Sequence, residues 1–374
     1  MADKVAKGDV IAFRLNAHHL TERLGESGLL DAAGRCAIQN SPPGSALLAL
    51  HARMKNLTQE QVGEAVAEEK SLLQTWCMRG SPFYSPAVDA PVFTTGVLPP
   101  TEEAMRHFIL GVEQALIELD MGLTEAVELT GAEIHAVLSG RQLAINELGA
   151  ELATRIARKL PKQQRGVWEG KGPYAPGQPL GEGVVHFCIR ILTLQRVACF
   201  APRAGNKAPF VLVDEWLGHP IPDIDPKVAR AELLRRYLRC YGPSTRRDFA
   251  AWVGINAGDT DPWWSLVEDE LTQVEFCGKS WILTEDLDAL RSAAKPKGVR
   301  LLPPRDPYTQ MRPRNNRRQE VPPGSVEDGR RTGRGPRQRR DHRHMAATQE
   351  RPEADHHHQD VRPAASSGQE AAPG

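Results

Sequence analysis

The chain has 374 residues, 47 of them basic and 47 acidic, for a formal net charge of zero. Balanced charge excludes a global field that draws the protein to nucleic acid, so any basic footprint must be local. No stretch approaches the roughly 20 apolar residues of a membrane span, and the N-terminus MADKVAKGDV lacks the apolar core of a signal peptide.

These features predict a cytoplasmic protein, and the length suggests two or three domains on a prior of roughly 150 residues each. Cys36, Cys77, Cys188, Cys199, Cys240 and Cys277 are scattered, with no C-x-x-C pair. That pattern reads as reduced, mostly buried thiols, without a disulfide frame or zinc site. A first amphipathic helix is predicted around Val10 to Leu24, followed by the loop RCAIQNSPPGSA and a helix through Leu47, Leu50 and Met54. Thr58 and Gln61 have the spacing of a capping box for the next helix. LLQTWCMRGSPFYSP and APVFTTGVLPP read as a strand pair.

Residues 99–224 are more helical. Thr101 caps a helix to about Leu119, and shorter helices follow through Lys159. The Gly/Pro-rich linker GKGPYAPGQPLGEG precedes the apolar helix VVHFCIRILTLQ. Strand VACFAP, turn RAGNK and strand PFVLVDEWL then form a ribbon with Arg203 and Lys207 near its tip.

The third block is the most informative. Leu234, Tyr237, Leu238 and Tyr241 share a helix face that Gly242-Pro243 ends, because Pro cannot continue the ladder and Gly accepts a left-handed cap. Ser244 or Thr245 caps a second helix with Phe249, Ala250, Trp252 and Val253 on its core face, leaving Arg246 and Arg247 free to face outward. Asp261-Pro262 starts another helix through Leu271, and VEFCGKSWILT forms two short strands around Cys277-Gly278-Lys279. Helix, turn, helix and ribbon is the order of a winged-helix DNA-binding module. The same order also suits a structural helical subdomain with a hairpin lid. Trp252, Trp263, Trp264 and Trp281 are expected to build this block's core, and Lys279 sits at the ribbon tip. The predicted fold class is mainly α with β-hairpins (α+β), in three tandem winged-helix units at 1–98, 99–224 and 225–312.

Composition changes near Pro313. Residues 313–374 contain no Leu, Ile, Phe, Tyr, Trp, Cys or Lys. Such a segment buries too little apolar surface to offset its ordering entropy and is expected to be disordered. RRTGRGPRQRRDHRH reads as an arginine-rich nucleic-acid tail. The abrupt switch also matches, and more closely, a GC-rich coding frame read out of phase, a frameshifted C-terminus. His356-His357-His358 could bind metal, or be incidental to the tail.

QTWCMRG at 74–80, YLRCYGPSTRRDFAAWVG at 237–254 and LLPPRDPYTQMR at 301–312 carry a resemblance along residues 8–312. The chain resembles the winged-helix DNA glycosylases that unhook interstrand crosslinks made by azinomycin or nitrogen mustards. The resemblance implies three winged helices around a concave DNA channel and monofunctional removal of N7-alkylated purines from double-stranded DNA. It also implies a monomer. In that family a Gln-x-Gln motif places the attacking water. The matching stretch here is AIQNSPPGSALLALHAR, with Gln39 on the first polar position and Ser41 on the second.

Three departures follow. A Ser hydroxyl is shorter than Gln and cannot offer both an amide donor and an acceptor; Gln39 could instead merely solvate a helix entry, with Ser41 a cap before Pro42-Pro43. Where many relatives carry Thr, an aliphatic and His after the Arg-Gly, this chain has Ser81, Pro82, Phe83 and Tyr84. Relatives also continue with closing strands where this chain has its tail.

The candidate phosphate contacts are Arg53, Arg79, Arg203, Lys207, Arg246, Arg247 and Arg305, each also readable as a solvated surface charge. His18-His19 could face the site, or be one core and one exposed imidazole. Asp306 is expected to bind a backbone amide and fix its loop. No acidic triad, no His/Cys set at ligand spacing and no GK[ST] loop is present in the sequence, so no cofactor, metal or nucleotide is expected. Two functions remain open: a glycosylase using Gln39 and Ser41, or a non-enzymatic DNA-binding module, a regulator or lesion shield, that has lost the second Gln.

Overall fold

LLQTW and PFYSP, short runs rich in large apolar and aromatic residues, form the two strands of one hairpin, and these anchor the largest sheet. The computed structural model describes residues 3–310, all within the compact unit Met1–Glu320. The tail, and every expectation placed on it, lies outside the described residues.

Strand β1 (Asp3–Lys4) precedes α1 (Lys7–Ala17), which ends seven residues before the expected Leu24. Its carbonyls are closed by the amides of His18 and His19, and His19 turns left-handed at φ 54°. Helix α2 (Leu29–Gly34) leads to β2 (Ile38–Gln39), then α3 (Ser45–Arg53) and α4 (Gln59–Ala67). The Thr58–Gln61 capping box is formed: Gln61 N donates to Thr58 Oγ1 at 3.2 Å and Thr58 N to Gln61 Oε1 at 2.9 Å. The hairpin comprises β3 (Leu72–Trp76) and β4 (Pro82–Pro86). The expected partner segment APVFTTGVLPP instead begins with a helix, α5 (Ala90–Phe93), so the strand pairing lies inside LLQTWCMRGSPFYSP. Pro91 in the first turn of α5 has the fixed φ that favours helix initiation.

Thr101 caps α6 (Glu102–Phe108), but Ile109 breaks the expected run, and α7 (Glu113–Leu119) starts separately. Helices α8 (Leu123–Leu138) and α9 (Ile145–Ala157) flank β5 (Leu143–Ala144). After α10 (Lys162–Trp168), α11 (Leu180–Leu194) packs on α8 and α9 through Leu152, Ile156, Cys188 and Ile191. The expected ribbon follows as β6 (Ala198–Phe200) and β7 (Pro209–Leu212), ending in α12 (Val213–Leu217).

In the third block, α13 (Pro226–Tyr241), α14 (Arg246–Val253), the short α15 (Asp261–Trp264), β8 (Leu271–Glu275) and β9 (Lys279–Leu283) occur in the expected order. The helix after Asp261-Pro262 is shorter than expected, ending seven residues before Leu271. Thr245 is the cap of α14, accepting from Asp248 N at 3.1 Å. Gly242 is extended (φ −66°), not left-handed; its need for glycine is steric, since a Cβ would lie 2.5 Å from Leu238 O. Trp252, Trp263 and Trp264 are buried around Phe249, and Trp281 is half-buried. Helices α16 (Leu287–Ser292) and α17 (Pro307–Gln310) complete the described chain.

The strands form two sheets, β1-β8-β9 and the six-stranded β2-β4-β3-β6-β7-β5. The hairpins of the first two blocks therefore share one sheet, joined where Gln74 on β3 pairs with Phe200 on β6. The result is the expected mixed architecture of helices with small sheets.

Candidate active site

Gln39 is placed by strand pairing. It faces Phe83 across the β2–β4 ladder, and Asn40 N donates to Pro82 O at 2.8 Å. Two residues earlier Ala37 holds φ 55°, a left-handed conformation that costs a non-glycine residue of order 1–3 kcal/mol. Downstream, Asn40 Oδ1 accepts from Gly44 N at 2.9 Å and Ser45 Oγ donates to the Gln39 carbonyl at 3.1 Å, which close the turn into α3. Asn40, not Ser41, therefore organises the helix entry. Ser41 is half-buried, and its hydroxyl has no hydrogen-bond partner among the described residues.

The three sequence motifs meet at the Arg79 turn, and two of them reach Gln39. From the β3–β4 turn, Arg79 Nη2 donates to Gln39 Oε1 at 3.2 Å; from α17, Gln310 Nε2 donates to the same oxygen at 2.6 Å. Arg79 also donates to the Gln310 side-chain oxygen and to the carbonyl of Trp252 on α14. With both lone pairs of its oxygen taken, the Gln39 amide is fixed with Nε2 buried and unpartnered among the described residues. A buried donor without an acceptor is costly, and in a native site it marks a place for water or ligand. Gln39 is 2 % exposed, while Arg79 and Gln310 are half-buried.

Arg79 has carbonyl and amide oxygens as partners but no carboxylate among the described residues. Burial pushes its guanidinium below the ordinary value, and its positive charge is uncompensated locally. Its backbone is left-handed (φ 57°), as is that of Arg305 (φ 60°), whose carbonyl accepts from Gln310 Nε2 at 2.6 Å. Gly254 ends α14 at φ 101°, and a Cβ there would meet Arg79 Cα at 2.8 Å. Only glycine lets the third block approach the Arg79 backbone this closely.

The other expected phosphate contacts are divided. Arg53 is a correction: its side chain is 1 % exposed and binds Asp306 through both terminal nitrogens at 2.7 and 2.9 Å. Burial lowers its basicity, but Asp306 more than restores it, and the group is not available to phosphate. Asp306 also accepts from Tyr308 N at 2.9 Å, so it fixes its loop as expected. Arg203 is exposed at the β6–β7 tip, bonded to Asn206 O; Lys207 pairs with Glu147 at 2.8 Å. Arg246 pairs with Asp261 over the Trp264 ring. Arg247 and Arg305 are exposed, and the Arg247 side chain has no ion-pair partner among the described residues. Lys279 is exposed at the third ribbon.

His18 belongs to the core, edge-on to Tyr241 (5.0 Å) and Tyr308 (5.7 Å), while the half-buried His19 pairs with Asp31 at 3.3 Å. Neither touches Gln39. The cysteines are free, and all but Cys277 are buried. Two of them were not expected to meet: Cys36 and Cys240 come together with His18, their ligand atoms all within 4.8 Å. The hydrogen bond from Cys240 outweighs burial and, with the nearby His18 ring, holds the Cys36 thiol well below its ordinary value. The same bond and burial push Cys240 well above. Sequence spacing could not reveal this set, because its members lie on three separate elements. Gln310 was likewise missed; it lies 271 residues from Gln39.

A family model described as "DNA glycosylase AlkZ-like" matches residues 32–326. An interstrand DNA cross-link repair glycosylase of Streptomyces sahachiroi is 27 % identical over 318 residues, covering 82 % of this chain and 77 % of that protein. The solved structure of the Streptomyces sahachiroi DNA glycosylase AlkZ matches with a TM-score of 0.62 at 26 % identity, over 80 % of this chain and 75 % of that one. Among the described residues no helix is long and apolar enough to cross a membrane.

Proposed function

The chain belongs to the AlkZ-like DNA glycosylase family, and from that premise we propose that it hydrolyses the N-glycosidic bond of N7-alkylated purines in double-stranded DNA, crosslinked guanines included. Alkylation at N7 makes the purine a cationic leaving group. The protein then needs mainly to position a water at the anomeric carbon. The attacking oxygen forms the new bond to that carbon as the base departs with the bonding pair.

The observation that carries this reading is the Gln39 amide, buried at the junction of all three motifs with a free donor. Nε2 donates to the water oxygen. Its own acceptor is occupied by Arg79 and Gln310, so the water must hydrogen-bond elsewhere, and the unpartnered Ser41 hydroxyl can accept that bond. The proton passes to solvent once the new C–O bond has formed. Gln310 thus supplies a second amide at a site where Ser41 stands in place of one. Arg79 offers the flanking phosphate an uncompensated charge. Arg247, Arg305 and Arg203 grip the backbone farther out, with Lys207 and Arg246 exchanging their acidic partners for phosphate.

The blocks 1–98, 99–224 and 225–312 act in this reading as winged-helix units on the duplex. The protein works as a cytoplasmic monomer without a nucleotide cofactor.

The test is a duplex carrying one N7-alkylguanine, incubated with protein, treated with alkali and run on a denaturing gel. Wild-type protein is expected to give a cleavage band above the protein-free rate. Gln39→Ala should lower that rate by about 100-fold or more, the range for removing one preorganised donor. Absence of a band from folded wild-type protein would move the reading to a DNA-binding module without catalysis. An undiminished band from Gln39→Ala would remove Gln39 from the chemistry.

A further inference from the structure

We propose that His18, Cys36 and Cys240 form a zinc site that ties the coil leading to Gln39 to the ends of α1 and α13. His18 is the residue that closes α1, Cys36 lies three residues before Gln39, and Cys240 is in the last turn of α13. The His18 Nδ1 to Cys36 Sγ separation is 3.8 Å, and all three ligand atoms lie within 4.8 Å of one another. Zinc bonds of about 2.1 Å to nitrogen and 2.3 Å to sulfur at a tetrahedral angle require about 3.6 Å between those ligands. The three atoms therefore need only a small inward movement to close on one ion.

The surroundings suit a soft dication. All three side chains are buried, and two thiolates cancel the charge of Zn²⁺, which leaves a neutral centre in the core. The His18 ring is clamped between Tyr241 and Tyr308 with Nδ1 toward the sulfur. Tyr241 Oη lies 3.7 Å from Cys36 Sγ and 3.1 Å from the Pro307 carbonyl. A surface cleft of about 270 Å³, lined by Asp31, Asp89 and Glu232 together with Arg35, Arg236 and Arg239, reaches Cys240.

The experiment uses the full chain, reduced and stripped with chelator, and must exclude the tail histidines and the exposed Cys277. Cadmium serves as the probe, because its ultraviolet charge-transfer band requires thiolate and cannot come from His356–His358. Titration should saturate at one cadmium per chain. The band should vanish in Cys36→Ser and Cys240→Ser and persist in Cys277→Ser. Should the serine variants fail to fold, wild-type protein decides: zinc at ten times its dissociation constant, but not magnesium, should slow alkylation of Cys240 about tenfold. No band from folded wild-type protein, a band lost only in Cys277→Ser, or no zinc protection of Cys240 would each overturn the site. None of these readouts depends on excision, so failure here leaves the glycosylase reading untouched.

Discussion

Two polar clusters join the 301–310 segment to the first block, and they differ in completeness. In one, Arg53 and Asp306 are 1 % and 0 % exposed, carry opposite charges, and share two hydrogen bonds. Arg53 also donates to Ala49 O, and Asp306 accepts from Tyr308 N. In the other, Gln39, Arg79 and Gln310 share neutral oxygens around one cation, and the Gln39 donor has no partner among the described residues. Its supporting backbone is left-handed at Ala37, Arg79 and Arg305. A closed cluster resists change and holds segments together; an open, strained one has capacity left for substrate.

The largest effect should come from breaking the closed cluster. Asp306→Ala leaves Arg53 as a buried charge without its partner, at a cost of about 3–5 kcal/mol. Urea or thermal unfolding reads this directly. Arg53→Met with Asp306→Leu removes both charges and should be less damaging than Asp306→Ala alone. If the single and double variants unfold alike, the pair holds nothing and the contrast between the clusters fails.

Gly254→Ala should be intermediate and should fall on the Arg79 turn of the open cluster. The new methyl meets Arg79 Cα at 2.8 Å, on a backbone already at φ 101°, where L side chains are strained. A loss of about 1–3 kcal/mol is expected, together with slower excision of N7-alkylguanine. Lost stability with unchanged excision would show that the Arg79 position is not needed for chemistry.

Much of the local fold, but little of this contrast, could be read from the sequence, and the gaps have physical causes. The capping box at Thr58–Gln61, the β6–β7 ribbon and the order of α13, α14, β8 and β9 are local patterns, set by spacing and turn chemistry. Arg53 was misjudged because its partner Asp306 is 253 residues away, and a lone Arg in a helix reads as a surface charge. APVF read as strand because β-branched and aromatic residues cannot tell a short strand from a helical turn, which Pro91 instead permits. The candidate site was visible as three motifs but not as one junction. The role of Gln310 exists only once α17 lies against β2 and the Arg79 turn.

Gln310→Ala isolates that role and should have the smallest effect on stability. It removes three hydrogen bonds, to Gln39, Arg79 and the Arg305 carbonyl. The side chain is half-buried and its partners can turn to water, so the net loss is about 1 kcal/mol. Chemistry should suffer more. Without the 2.6 Å contact, one lone pair of Gln39 Oε1 is free and the amide can turn, so Nε2 no longer has a fixed direction. Excision is expected to fall about tenfold with DNA affinity nearly unchanged, which corresponds to about 1.4 kcal/mol lost from the barrier term. Ser41→Gln in the same background should restore much of the rate, because it returns an amide to the second polar position next to Gln39. Recovery by that route would show that the chain keeps two amides at the site by drawing one from a distant segment. A Gln310→Ala protein as fast as wild type would reduce the contact to packing and leave Gln39 and Ser41 to act alone.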